Sequence, residues 1–149
     1  NIGYKTFFKN NFYVFAEEKH PLASKAEVSI EELSGLPMVY LSMKENLCSI
    51  PYFEKLFSKY NAVYNPCIEA SSTEDLFLKV LTGAGISILS EPVFRYTPSK
   101  IKIIRISNPD VFINTNLIWN KNSPNASVPL FVEEFGRFIK VYNRIHSGA

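Results

Sequence analysis

Residues 67 to 92, CIEASSTEDLFLKVLTGAGISILSEP, constrain the fold more than any other part of the chain, because they read as strand, capped helix, glycine stop and strand. Ile68 to Ala70 is a short extended run, and Ser71 with Glu74 three residues later has the spacing of a capping box, so a helix is predicted to start there. Leu76, Phe77, Val80, Leu81 and Ala84 follow on a helical period and make one apolar stripe, which leaves Glu74, Asp75 and Lys79 towards solvent. Gly83 and Gly85 are expected to supply the positive φ angles that end the helix. Ile86, Ile88 and Leu89 then have the length and β-branching of a buried strand, so the whole reads as a βαβ-like unit favouring a parallel pair.

The chemistry of this unit lies at its strand-to-helix turn. The N–H groups of Ser72, Thr73 and Glu74 are unsatisfied at a helix start and stand beside three hydroxyls, a combination that suits an anionic or polar small molecule. The same three residues also suffice as a plain helix cap, and the residue pattern leaves both readings open. TGAGIS is not a dinucleotide fingerprint, because it follows a helix instead of opening one and lacks the third glycine.

Composition narrows the classes. With 149 residues, 46% of them hydrophobic, the chain can bury a real core as one domain or two small lobes. A formal charge of +2, with cations interspersed among acids, makes no nucleic-acid-binding stripe. The two cysteines, Cys48 and Cys67, have no CxxC spacing, and the two histidines, His20 and His146, form no cluster, so no metal or cofactor site is expected and both thiols are expected to be small buried hydrophobes. No apolar run approaches a membrane span and no signal segment opens the chain, which makes a soluble cytoplasmic protein the default expectation.

Elsewhere, Phe12 to Ala16 reads as a buried strand, Ser29 with Glu32 as a capping box on a short connector, and Pro37 to Leu41 as another strand followed by a polar loop from Ser42. Ser49 is expected to cap a helix whose stripe is Ile50, Phe53, Leu56, Phe57 and Tyr60. Lys100 to Ile106 and Thr115 to Trp119 read as strands around the turn Asn108-Pro109-Asp110. Ser127 is expected to cap a long helix with Val128, Phe131, Phe135, Phe138, Ile139 and Tyr142 on one side. Alternation of strands and helices predicts an α/β architecture with mainly parallel sheets. The extended segments Ala16 to Val28 and Ile106 to Asn116 flank the middle, so residues 37–98 are expected to form one lobe, joined by two crossings to a remainder of 1–36 and 99–149.

VFAEEKHPLASKAEVSIEELSGLPMVYLS together with ASSTEDLFLKVLTGAGISILSEP resembles the effector-binding domain of LysR-type transcriptional regulators in the order and spacing of its pieces. HPLA before a short capped helix, the serine-led helix, the glycine pair, the strand ending at Glu91-Pro92 and the closing amphipathic helix carry the likeness over nearly the whole chain. It implies a type II periplasmic-binding-protein-like fold of two α/β lobes, with 1–149 as one effector-binding domain, 37–98 as the second lobe and the first lobe incomplete. By the same resemblance, NIGY at Asn1 to Tyr4 lies inside lobe one, so that the DNA-binding helix-turn-helix domain and the first elements of that lobe are absent. Apolar surface meant for those elements would then favour a homo-oligomer.

The resemblance places effector contacts at Ser42, Met43, Ser71, Ser72 and Thr73. Ser42 serves equally well as a solvated loop residue. The function implied is small-molecule sensing, in which a ligand bound between lobes alters a DNA-bound oligomer, with no catalysis, no cofactor, no membrane partner and DNA contacted only through the absent domain. The solute-binding protein of a transporter, which shares the fold, is the alternative. An enzyme on the same lobes would need a converging acid, base or nucleophile; Glu17, Glu18, Glu31, Glu32, Glu74 and Asp75 sit in charged surface or helix-start patterns without a histidine partner, so no catalytic residue is assigned.

Overall fold

The computed structural model describes residues 1–42, 44 and 49–146. In chain order they form β1 (Ile2–Glu17), β2 (Glu27–Val28), β3 (Met38–Leu41), α1 (Ser49–Lys59), β4 (Pro66–Ala70), α2 (Thr73–Leu81), β5 (Ser87–Ser90), β6 (Ile101–Ile106), β7 (Phe112–Asn120) and α3 (Ser127–His146). Short 3-10 turns occupy Pro21–Ser24, Glu31–Leu33 and Glu91–Tyr96. The chain divides into two compact units, Asn11–Phe112 and the pair of segments Asn1–Asn10 and Ile113–Ala149. The larger unit contains the 37–98 segment and extends past it on both sides.

In the larger unit, β3 is central. It pairs in parallel with β4 on one edge, and on the other it meets residue 86, just before β5, through Val39 N–H to Ile86 O at 2.8 Å and Ile86 N–H to Pro37 O at 3.0 Å. The βαβ-like unit is therefore real, but its two strands do not pair with each other; they lie on either side of β3. β1 then runs antiparallel to both β5 and β6, and β2 runs parallel to β6. The strand order is thus β4-β3-β5-β1-β6-β2, and every strand but β1 points the same way.

Both faces of this sheet are covered. Val14, Ala16, Met38, Ile88 and Ile104 turn to the face carrying Phe53, Leu56 and Phe57 of α1, whereas Phe15 and Val39 turn to the face carrying Leu76, Phe77 and Val80 of α2. The period-two alternation sends neighbouring residues of β1 and β3 into different layers, which is why both strands read as unbroken apolar runs. Each side chain of the α2 stripe contributes about 1.5–3 kcal/mol through burial.

The connectors behave as the sequence implies. The Ser29 capping box is reciprocal, with Ser29 N–H to Glu32 Oε2 at 2.8 Å and Glu32 N–H to Ser29 Oγ at 3.4 Å. Asp110 accepts from Lys59 Nζ and Tyr60 OH, and Asn108 Oδ1 accepts from Ile30 N–H at 2.8 Å, so the 108–110 turn is tied both to the end of α1 and to the connector. Residues immediately before Ser49 lie outside the described ones; Ser49 itself is already helical.

Three local expectations are corrected. Gly83 has the expected positive φ of 74°, but Gly85 does not; a Cβ there would lie 2.6 Å from Pro37 O, so that glycine is required by the close approach of two backbones. Ala84 is exposed, because the helix has ended by Leu81 and the stripe no longer faces the sheet. Cys67 is also exposed, since β4 is an edge strand and alternate residues on it point outwards; Cys48 lies outside the described residues.

The smaller unit is a two-stranded ribbon and a helix. β7 pairs with the first part of β1, and bonds linking Asn1 O to Lys121 N–H at 3.0 Å and Thr6 Oγ1 to Asn116 Oδ1 at 2.6 Å run in opposite senses, so the pair is antiparallel. β7 is longer than the 115–119 run predicted. The ring of Trp119 lies over Gly3, filling the space that a side chain there would take. Phe135 of α3 meets Phe7 edge-on with ring centres 4.8 Å apart, and Ile139 is buried. The start of α3 is held by Asn125, whose Oδ1 accepts from Ser127 N–H at 2.9 Å, so Asn125 does the capping assigned to Ser127.

Two predictions follow from these contacts. Gly85→Ala is expected to cost about 1–3 kcal/mol through overpacking and Gly83→Ala about 1 kcal/mol through its left-handed backbone, both read as shifts in the urea midpoint. Burial also pushes the Tyr64 phenol up to about 12. Because folding holds the neutral form, this stabilisation should be intact below the ordinary phenol value of about 10 and lost as pH rises towards the folded value, which tyrosinate absorbance in an alkaline titration will follow.

Candidate functional site

Strands that run the same way deliver their carboxyl ends to one edge of a sheet, and ligands of open α/β sheets bind off that edge, where the order of strands reverses. Here β3 leads through α1 to β4 on one side, and β4 leads through α2 back across to β5 on the other, so the reversal falls at β3. Leu41 stands opposite Ala70, and Ser42 N–H donates to Ala70 O at 2.9 Å. This one register brings Ser42, just past β3, beside Ser71, just past β4.

The turn into α2 begins one residue later than the sequence suggests. Ala70 is still held in the ladder, Ser71 follows it, and Ser72 adopts extended angles (φ −154°, ψ 172°) and caps the helix by accepting from Asp75 N–H at 3.2 Å. Asp75 reaches back, its Oδ2 accepting from Ser71 N–H at 2.9 Å and from Ser71 Oγ at 3.2 Å. The capping box is therefore Ser72 with Asp75, and Ser71 with Glu74 is not a pair. Both candidate roles for Ser71 and Ser72 are thus partly filled from within the chain.

Lys79 completes the arrangement, donating to Asp75 Oδ2 at 2.8 Å and to Glu69 O at 2.7 Å. Its ammonium, followed by the Ser71 N–H, holds the Asp75 carboxyl below the ordinary range, and the backbone N–H of Glu74 followed by Ser72 does the same for Glu74. Two charged carboxylates therefore sit at the positive end of α2. The Thr73 N–H and hydroxyl and the Ser42 hydroxyl have no partner among the described residues, so those groups stand free to bond a ligand. Met43 lies outside the described residues.

The same edge carries residues that sequence reasoning used only as a strand end. Ser90 and Glu91 close β5, and Tyr13 OH donates to Glu91 Oε1 at 3.0 Å. Burial, then the Glu91 carboxylate, raises the Tyr13 phenol above its ordinary value. Only the strand directions reveal this neighbourhood; Glu91 is far from Ser42 and Ser71 in sequence, and no motif links them. Among the described residues, no group of His, Cys, Asp and Glu is placed to hold a metal ion, and no helix is long and apolar enough to cross a membrane.

An α/β sheet covered on both faces, with hydroxyl-bearing turns gathered at its carboxyl edge, defines a ligand-binding domain of the periplasmic-binding-protein-like class. The sequence matches the LysR substrate binding domain family over residues 1–139, and the chain belongs to that family. It is 29% identical over 120 residues to an uncharacterized HTH-type transcriptional regulator, YybE, of Bacillus subtilis (strain 168), covering 80% of this chain and 40% of that protein. Among solved structures it is similar to the BenM effector-binding domain with benzoate (TM-score 0.82, 14% identity, 99% of this chain and 66% of that one). It is also similar to the effector-binding domain of QuiR in complex with shikimate (TM-score 0.74, 20% identity, 97% and 66%).

Replacing Ser72 by alanine is expected to cost about 1 kcal/mol in urea unfolding, and Ser71→Ala clearly less, because Ser72 is the cap. Since the folded Asp75 carboxyl is lowered, its contribution should be present above the unfolded carboxylate range and fade as pH falls through the folded value; side-chain carboxyl shifts by NMR will locate that step.

Proposed function

We propose that this chain is the small-molecule sensing domain of a LysR-type transcriptional regulator, acting without catalysis in the cytoplasm as a homo-oligomer. DNA would be contacted through a helix-turn-helix domain outside this sequence. Ser42, Met43, Ser71, Ser72 and Thr73 are its proposed effector contacts, and Ser90 joins them on the same edge. The observation that carries the reading is the Ser42–Ala70 bond, which gathers the turns after β3 and β4 at the strand-order reversal.

The chemistry favours a ligand that is polar and small. Thr73 offers an N–H and a hydroxyl at the start of α2, and a carboxylate or hydroxyl oxygen fits both. Asp75 already holds the Ser71 N–H, so the recognition of an anion falls to Thr73 and Ser42. BenM with benzoate and QuiR with shikimate show that relatives of this fold take small carboxylates. Family membership favours the regulator over the solute-binding protein of a transporter. A bound effector would act by its differential affinity for two arrangements of the regulator, and only that difference can be transmitted to DNA.

Titration calorimetry and thermal unfolding with a panel of small carboxylates, beginning with benzoate and shikimate, test this. One or more should raise the melting temperature, and Thr73→Ala should weaken the best of them roughly tenfold, the worth of about one charge-assisted hydrogen bond. Unchanged affinity in Thr73→Ala removes that residue from the site.

A further inference from the structure

We propose that Tyr52, in the first turn of α1, is a positioning residue that clamps together the two chain crossings between the units, on the larger unit's side. The inference goes beyond the sensing reading and does not require it. The chain leaves the larger unit twice, between Asn10 and Asn11 within β1 and between Phe112 and Ile113 within β7. Inside the larger unit, both exits meet Tyr52. Its hydroxyl donates at 3.0 Å to Phe112 O, the last carbonyl before the second crossing, and its ring lies 5.7 Å from that of Phe12, one residue inside the first. Phe12 N–H donates in turn to Val111 O at 3.2 Å, which ties the two exits directly to each other.

Packing alone does not call for a tyrosine here. Phe53, the next residue of α1, is buried and meets the Phe12 ring at 5.1 Å, so the helix is anchored on the first crossing without Tyr52. The Tyr52 side chain is 37% exposed, and what its hydroxyl adds to a phenylalanine ring is the bond to the second crossing. The far end of α1 grips the same segment, since Lys59 Nζ and Tyr60 OH donate to Asp110. Residues 9–12 and 110–113 include no glycine or proline, so neither crossing has a backbone swivel, and its freedom is set by contacts such as these. Because Ser49 opens α1 seven residues after Ser42, the helix also forms a lever between the turn after β3 and both crossings.

Tyr52→Phe, which keeps the ring and deletes the hydroxyl, tests this on the chain itself. Amide exchange followed by NMR should accelerate about fivefold at Phe12, the effect of one hydrogen bond lost from the local closing equilibrium, and stay unchanged at Val39 and Ile86 within the sheet. Ser34→Ala, which deletes a bond from Val63 N–H elsewhere in the larger unit, should leave Phe12 exchange unmoved. Nitrogen relaxation dispersion, which reads microsecond-to-millisecond motion, should rise in Tyr52→Phe at Asn11 and Phe112 together, because one lost bond releases both exits. Unmoved Phe12 exchange, with circular dichroism intact, overturns the clamp, and so does equal acceleration by Ser34→Ala. Dispersion that rises at one exit alone, or at neither, overturns the joint hold on the two crossings. No arm uses an effector, so each of these failures leaves the sensing reading standing.

Discussion

Everything in the larger unit depends on β3 being hydrogen-bonded along both edges and buried on both faces. β4 occupies one edge, and on the other the backbone at Ile86 bonds Pro37 and Val39 at the start of the strand. Met38 and Val39 point into opposite layers, and each layer closes over one helix. Gly85 is the local condition for this packing, because the backbone beside Pro37 leaves no room for a Cβ. A strand held in this way cannot slip by one residue without exchanging the two layers. Its register therefore positions Ser42 against Ala70, and with it the whole candidate site.

The helix start at the site is less bare than a simple anion cradle. Asp75 takes the Ser71 N–H and hydroxyl, and Lys79 neutralises Asp75 while holding Glu69 O. This small network keeps the turn in shape before any ligand arrives, so less ordering remains for binding to accomplish. It also leaves a narrower set of free groups, at Thr73 and Ser42, than the run of three hydroxyls suggests.

The smaller unit shows the opposite balance. Its ribbon covers one side of α3 through Phe7 and Phe8, and the helix carries aromatic surface well beyond that contact.

Local signals specified most of the elements, because helix periods, capping residues and β-branched runs act over a few residues. The stripes of α1 and α2, the connector box at Ser29, the Asn108 turn and the stop at Gly83 were all legible in that way, and so was the family. The helix cap moved by one residue because Ala70 is committed to the ladder with β3, a long-range bond no local pattern contains. For the same reason the role of Gly85, the exposure of Cys67 and the bond between Tyr13 and Glu91 could not be read from the chain alone. The sequence by itself determined which segments are strand or helix and that hydroxyls crowd one helix start. Only the tertiary structure decided which strands are neighbours, and neighbours decide a site, because strand order and register place residues that are distant in the chain within hydrogen-bond reach.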